Sequence, residues 1–189
     1  MGAPARYLNR VVAASLAIWL VGVPVLAASQ VQAPDQAQEL RDLKSDDYST
    51  WRKAESDLTR QWASSGSPAL DLLLERGRAA IDAGDFRAAA EHLTALIDHA
   101  PDFAEAYNLR AEAYYRAGLF GPAIEDIGKT LSLNPNEFDA LAGLGAILEA
   151  VGKPKDALAA YRMATAIHPH LPTVLDAIKR LATTAGQEL

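Results

Sequence analysis

The chain has 189 residues, half of them hydrophobic and 22% charged, which excludes a disordered tail and fits one globular domain with a core of ordinary size. Lys and Arg number 18 against 24 Asp and Glu, and a net charge of −6 with no basic run or interleaved aromatic patch speaks against nucleic acid or an anionic membrane as partner. There is no cysteine, so disulfides, thiol chemistry and a lipid-modified cysteine anchor are excluded.

Residues 1–28 read as a signal peptide, with Arg6 and Arg10 ahead of an uncharged run from Val11 to Ala28. Gly22 and Pro24 break that run before Val25, Leu26 and Ala27, a small-residue arrangement that suits cleavage after Ala27 or Ala28 and predicts a periplasmic or secreted protein. An uncleaved anchor is the alternative, because the run's 18 residues are barely enough to span a bilayer. Removing residues 1–27 takes away two arginines and no acid, which moves the net charge from −6 to −8. Residues 29–36 are polar and proline-containing, a flexible linker. In 37–67, Leu40 and Leu43 predict a short helix; Ser45, Asp46 and Asp47 then offer caps for a second helix carrying Tyr48, Trp51, Leu58 and Trp62. That aromatic stripe reads as core rather than as a ligand cage, and the segment reads as a degenerate repeat capping the exposed face of the first unit that follows. Ser64, Ser65, Gly66 and Ser67 end it.

From residue 70 one pattern is written three times at an interval of 34: Pro101, Pro135 and Pro169; Gly84, Gly118 and Gly152; Ala89, Ala123 and Ala157; Leu73, Tyr107 and Leu141. A fixed period of this size means stacked supersecondary units that bury their apolar faces against one another. Leu70, Leu73, Gly77 and Ala80 form a helical stripe, Gly84 ends that helix, and Asp85 caps a second helix reaching about His99. Asp102 with Glu105, and Asn136 with Asp139, predict capping boxes, while Pro122 and Pro154 sit in first turns that need no N–H. The small residues Gly77, Ala111 and Gly145 are expected to face Ala89, Ala123 and Ala157 between paired helices. After Pro169, Leu171, Val174, Leu175, Ile178 and Leu181 lie opposite Asp176, Lys179 and Arg180, a capping helix over 171–182 with fraying from 184.

The unit resembles the tetratricopeptide repeat (TPR) in length and at nearly every marked position, over about half of the chain. Large residues stand at place 4, small ones at places 8 and 20, and Leu93, Ile127 and Tyr161 at place 24. Arg76 and Arg110 depart from the usual leucine at place 7, which Leu144 keeps, and Ala80 replaces the aromatic at place 11. The resemblance implies an all-α fold: a right-handed α-solenoid of antiparallel helix pairs, with units 70–103, 104–137 and 138–171 between capping segments 37–67 and 172–189. It also implies a concave groove lined by the first helices, where partner peptides lie. The groove residues are Asp71, Leu74, Glu75, Arg78, Ile81 and Asp82; Glu105, Asn108, Leu109, Glu112, Tyr115 and Arg116; and Asp139, Gly143 and Glu149. The family's chaperone-binding members grip a terminal carboxylate with Lys, Arg and Asn. Here Leu74, Leu109, Asp139 and Gly143 occupy those places and the clamp is missing. Seven acids against two arginines predict a partner segment rich in Lys or Arg.

No Gly-x-Ser-x-Gly, phosphate-cradling glycine loop or His-Glu-x-x-His is present. His168 and His170 could share a metal but read as helix-terminal histidines, and Glu125 and Asp126 read as a solvated face. The expectation is a non-catalytic adaptor without cofactor or metal, binding a protein or peptide. The alternative is a structural component that self-associates or docks onto a larger envelope complex, with the oligomeric state open.

Overall fold

The computed structural model describes residues 36–187, with side chains through residue 183. The expected signal peptide with its cleavage positions, and the expected linker up to residue 35, lie outside the described residues. Among the described residues there are nine helices and no strand: α1 (Gln36–Asp42), α2 (Tyr48–Trp62), α3 (Pro68–Asp82), α4 (Phe86–His99), α5 (Ala104–Arg116), α6 (Phe120–Leu133), α7 (Phe138–Ala150), α8 (Pro154–Ile167) and α9 (Pro172–Gln187). The pairs α3–α4, α5–α6 and α7–α8 are the three repeats of an all-α helical array.

Each pair turns on a glycine. Gly84, Gly118 and Gly152 have φ of +76°, +75° and +74°, the left-handed region where an added side chain costs about 1–2 kcal/mol. The residue after each glycine donates back into the helix, Asp85 N to Ala80 O at 2.9 Å and both Leu119 N to Tyr114 O and Lys153 N to Leu148 O at 2.8 Å. Asp85 then starts α4 by accepting from the Ala88 amide at 3.0 Å. The two expected capping boxes do not form: the N-caps of α5 and α7 are Phe103 and Glu137, and neither makes a side-chain cap. The cause is the proline turn, in which Phe103 N donates to Ala100 O at 3.1 Å and delays the helix by one residue, leaving Asp102 outside it.

Packing follows the repeat. Leu74 and Ile81 of α3 meet Leu93 and Leu96 of α4 and Ala106, Leu109 and Ala113 of α5. Ala111, Ala123, Ile127, Ala140 and Ile147 continue the core, and Leu141, Ala157, Tyr161 and Ala164 close it against Val174, Ala177 and Leu181 of α9. The glycines at place 8 are closed over by the side chains of place 24. A Cβ on Gly77 would stand 2.7 Å from the Leu93 side chain, and one on Gly145 would overlap the Tyr161 ring. Place 24 thus fills the space beside Gly77 and Gly145, and Ala89, Ala123 and Ala157 of place 20 are buried.

The hairpin α1–α2 corrects the expectation of a zeroth repeat covering the first unit. Its buried residues Leu43, Ala54 and Leu58 form a cluster with Phe138, flanked by Trp62, Ile167 and Leu171. It therefore folds back over the start of α7 and the α8–α9 loop, in the third repeat. Phe138 and the histidine loop offer an apolar, aromatic seat there, and the Ser64–Ser67 connection, with Gly66 at φ +78°, lets the chain reverse. Tyr48, expected in the buried stripe, is exposed, and Ala54 takes the inward position.

Candidate functional site

Because each repeat presents its first helix in the same orientation, residues three, four and seven apart on α3, α5 and α7 converge on one hollow. A cavity of about 460 Å³ is lined by Arg78 of α3, by Glu105, Asn108, Leu109, Glu112, Tyr115 and Arg116 of α5, and by Asp139, Gly143 and Ile147 of α7. Thr59 of α2 belongs to its wall.

Both arginines in this wall are committed to carboxylates. Arg78 reaches Glu75 at 2.7 Å and Glu105 at 3.1 Å, and Arg116 reaches Glu112 at 2.7 Å. Glu105 is buried, and the Asn108 amide donates to its second oxygen at 3.1 Å. Burial raises the pKa of Glu105, against the lowering pull of Asn108 and Arg78. Asp139 has no paired cation among the described residues. Its carboxyl still reaches water, but the protein crowded around the recess, followed by repulsion from Glu55 and Glu112, pushes its pKa up to about 6. Glu137, at the head of α7, is buried and pushed up to about 8 by desolvation and then by Glu105 and Asp139, with the Asn134 amide donating to it at 2.8 Å. The hollow's carboxylates are thus Glu105 and Glu112, each paired with an arginine, and Asp139, which has no paired cation among the described residues.

The other candidate groove residues lie elsewhere. Leu74 is a fully buried core residue. Asp71 is held below the usual carboxylate range by the Ser65 hydroxyl and amide, which donate to it at 2.6 and 2.8 Å, so it anchors the α2–α3 connection. Glu75 is tied to Arg78, and Asp82 is exposed near the end of α3. Glu149 accepts from Arg180 at 3.0 Å and from the Tyr161 hydroxyl at 3.2 Å, joining α7, α8 and α9.

Three arrangements escaped the sequence reading. Asp126, expected on a solvated face, is buried and receives a two-pronged bond from Arg110, at 2.7 and 2.8 Å, while the same guanidinium donates to Thr94 at 3.0 Å. The place-7 arginine thus has a partner one helix away, and the departure from leucine at place 7 was its available signal. His168 and His170 face the hairpin. His170 lies 2.9 Å from the Ser45 carbonyl and stacks on Trp51, with centroids 4.8 Å apart. His168 is fully buried, edge-on to Phe138 at 4.9 Å and 3.4 Å from Glu55; burial lowers its pKa, with Glu55 opposing. No group of three or more His, Asp or Glu among the described residues is placed to hold a metal, and no described helix is long and apolar enough to cross a membrane. Finally, a second hollow of about 590 Å³ opens between α4 and the α5–α6 turn, around Phe86, Thr94, Tyr114 and Leu119. It draws on one pair and its neighbour, whereas the smaller hollow collects side chains from all three first helices.

Residues 74–130 and 120–172 match a family described as tetratricopeptide repeat. A TPR repeat-containing protein of Rhizobium etli is 31% identical over 127 residues, 67% of this chain, and the chain spans 62% of that relative's length. The Arabidopsis OM64 TPR domain is 27% identical with a TM-score of 0.58, covering 60% of this chain and 93% of its own. The first TPR domain of Spaghetti (RPAP3), bound to the HSP90 peptide SRMEEVD, is 22% identical with a TM-score of 0.59, covering 62% of this chain and 93% of its own.

Proposed function

The chain belongs to the tetratricopeptide repeat family, and from that membership we propose that it is a non-catalytic adaptor, exported to the periplasm, holding a basic segment of a partner protein in the hollow of α3, α5 and α7. Repeats of this family commonly mediate binding of proteins or peptides, and they are generally non-catalytic. The observation that carries the finer reading is the pairing in the hollow: among the described residues both arginines in its wall are already spent on carboxylates, and Asp139 has no paired cation. A Lys or Arg side chain entering the recess would pair with Asp139 and lower its raised pKa, so binding is accompanied by proton release. Tyr115 and Leu109 in the wall supply apolar contact alongside that charge. A carboxylate-rich tail such as SRMEEVD would meet like charge and no gripping Lys or Asn pair. Export rests on Arg6, Arg10 and the apolar run that follows them.

The test is binding of fluorescent peptides to the full chain. A Lys/Arg-rich peptide is expected to bind more tightly than SRMEEVD, and more tightly at pH 7.5 than at pH 5, where Asp139 is protonated. Asp139→Asn with Glu112→Gln is expected to weaken it roughly tenfold, about 1.4 kcal/mol, and to flatten its salt dependence. The control is Glu125→Lys with Asp156→Lys, two exposed positions on second helices. Equal losses in both double variants would place the binding face elsewhere.

A further inference from the structure

Helix α2 carries two stripes at helical spacing. One of them, Trp51, Ala54, Leu58 and Trp62, seats the hairpin on the third repeat. Beside it Arg52, Glu55, Ser56, Thr59, Arg60 and Ala63 stand three, one, three, one and three apart, a second face of the same helix. With Arg78 of α3 and Asp139 of α7 these residues bound a recess of about 610 Å³. Thr59, Arg78 and Asp139 also line the acidic hollow, so the two recesses meet at these side chains and form one cleft. First helices alone would make a one-sided groove, and α2 adds a second wall to it.

That wall acts on the chemistry of the hollow. After the protein crowded around it, Glu55 of α2 is the main cause that raises the pKa of Asp139, ahead of Glu112 of α5. Glu55 is itself paired with Arg52 at 2.7 Å, and Glu112 with Arg116 at 2.7 Å, which leaves Asp139 as the carboxylate to be met by an incoming cation. The rest of the wall suits a polypeptide main chain. The Ser56 and Thr59 hydroxyls are exposed and can both donate and accept, and in the hollow beside them Asn108 spends its amide N–H on Glu105 and keeps its oxygen as an acceptor. A helix satisfies its own N–H and C=O groups, whereas an extended segment brings them unpaired and gains by meeting such groups.

We propose that α2 is a wall of the binding cleft, and that an extended segment of a partner protein lies between α2 and the first helices, with a Lys or Arg side chain on Asp139 and its main chain against Ser56 and Thr59. The proposal rests on the acidic hollow being the binding face. It adds to that face the residues that select an extended basic segment over a basic helix.

The probes are two labelled peptides with blocked ends and the same arginine spacing, SGPRGSPRGS, which proline and glycine keep extended, and SAARAAARAS, which favours helix. Each is titrated into the full chain at about 0.15 M salt, where charges more than about 8 Å apart are largely screened. The extended probe is expected to bind about threefold or more tighter than the helical one. Thr59→Lys is expected to weaken its binding about threefold or more and Thr59→Glu to tighten it by a similar factor, because residue 59 stands with Asp139 where the recesses meet. Opposite signs at one exposed position exclude a folding defect as the cause. Ala159→Lys and Ala159→Glu carry the same charges on the exposed side of α8 and are expected to leave binding unchanged. Unchanged binding in both Thr59 variants, shifts of one sign, equal shifts at Ala159, or tighter binding of the helical probe overturns the proposal. Loss of binding in Asp139→Asn with Glu112→Gln, together with unchanged Thr59 variants, removes the α2 wall and keeps the acidic-hollow reading. No loss in that double variant removes both.

Discussion

Two glycine-to-alanine changes one helix apart are expected to move stability in opposite directions. Gly128, exposed in α6, has open space where a Cβ would go, so Gly128→Ala gains the helix propensity of alanine, about 1 kcal/mol. Gly145 in α7 gains the same propensity, but its Cβ would overlap ring atoms of Tyr161. That ring is 6% exposed, and its hydroxyl bonds Glu149, itself held by Arg180, so it has nowhere to swing. Overpacking against a fixed side chain costs about 1–3 kcal/mol, and the ring overlap puts Gly145→Ala at the upper end, a net loss of up to about 2 kcal/mol after the propensity gain. Urea or thermal denaturation followed by circular dichroism measures both, and for a chain of this size each kcal/mol is about 2–4 °C in Tm. Gly145→Ala is expected to melt lower and Gly128→Ala higher than the parent. A Gly145→Ala protein melting at or above the parent would refute the place-8 to place-24 packing.

The buried pair gives a second asymmetry: Asp126→Ala strands the Arg110 guanidinium and is expected to cost about 3–5 kcal/mol in urea melts, whereas Arg110→Leu with Asp126→Leu costs far less, and equal losses would show that the pair is not a unit. Burial pushes Glu137 up to about 8 from an ordinary value near 4.5, so the folded state holds its proton more tightly, and this contribution is full below about 4.5 and lost as pH rises through 8. His168 acts oppositely, since its lowered pKa yields stability above about 6.5 that is lost as pH falls. Between pH 6.5 and 8 the carboxyl dominates, stability is expected to decline, and Glu137→Gln is expected to flatten the decline; an unchanged slope assigns it to another group. N-terminal sequencing of the protein from its native host is expected to begin at Ala28 or Ser29, and an intact Met1 on a soluble protein would end the export reading.

What the sequence by itself determined is the part of this protein governed by local rules. Gly84, Gly118 and Gly152 announce their turns because only a residue without a Cβ takes that φ cheaply, and the interval of 34 announces the array because each unit packs on its neighbour in the same register. The clustering of Arg78, Glu105, Asn108, Leu109, Glu112, Tyr115, Arg116 and Asp139 was legible for the same reason, as positions on a helix of known pitch within a resembled unit. Charge in that hollow was not legible, because Glu105 and Arg78 neutralise each other across two helices and Glu137 is neutral only where burial and neighbouring carboxylates act on it. Asp126 looks solvated in sequence until α5 brings Arg110 to it. The hairpin is the furthest from reading: Ser45 and His170 meet across 125 residues, and the seat at Phe138 belongs to no periodic pattern. Contacts of that kind depend on where folding brings distant surfaces together, and only the tertiary structure decided them.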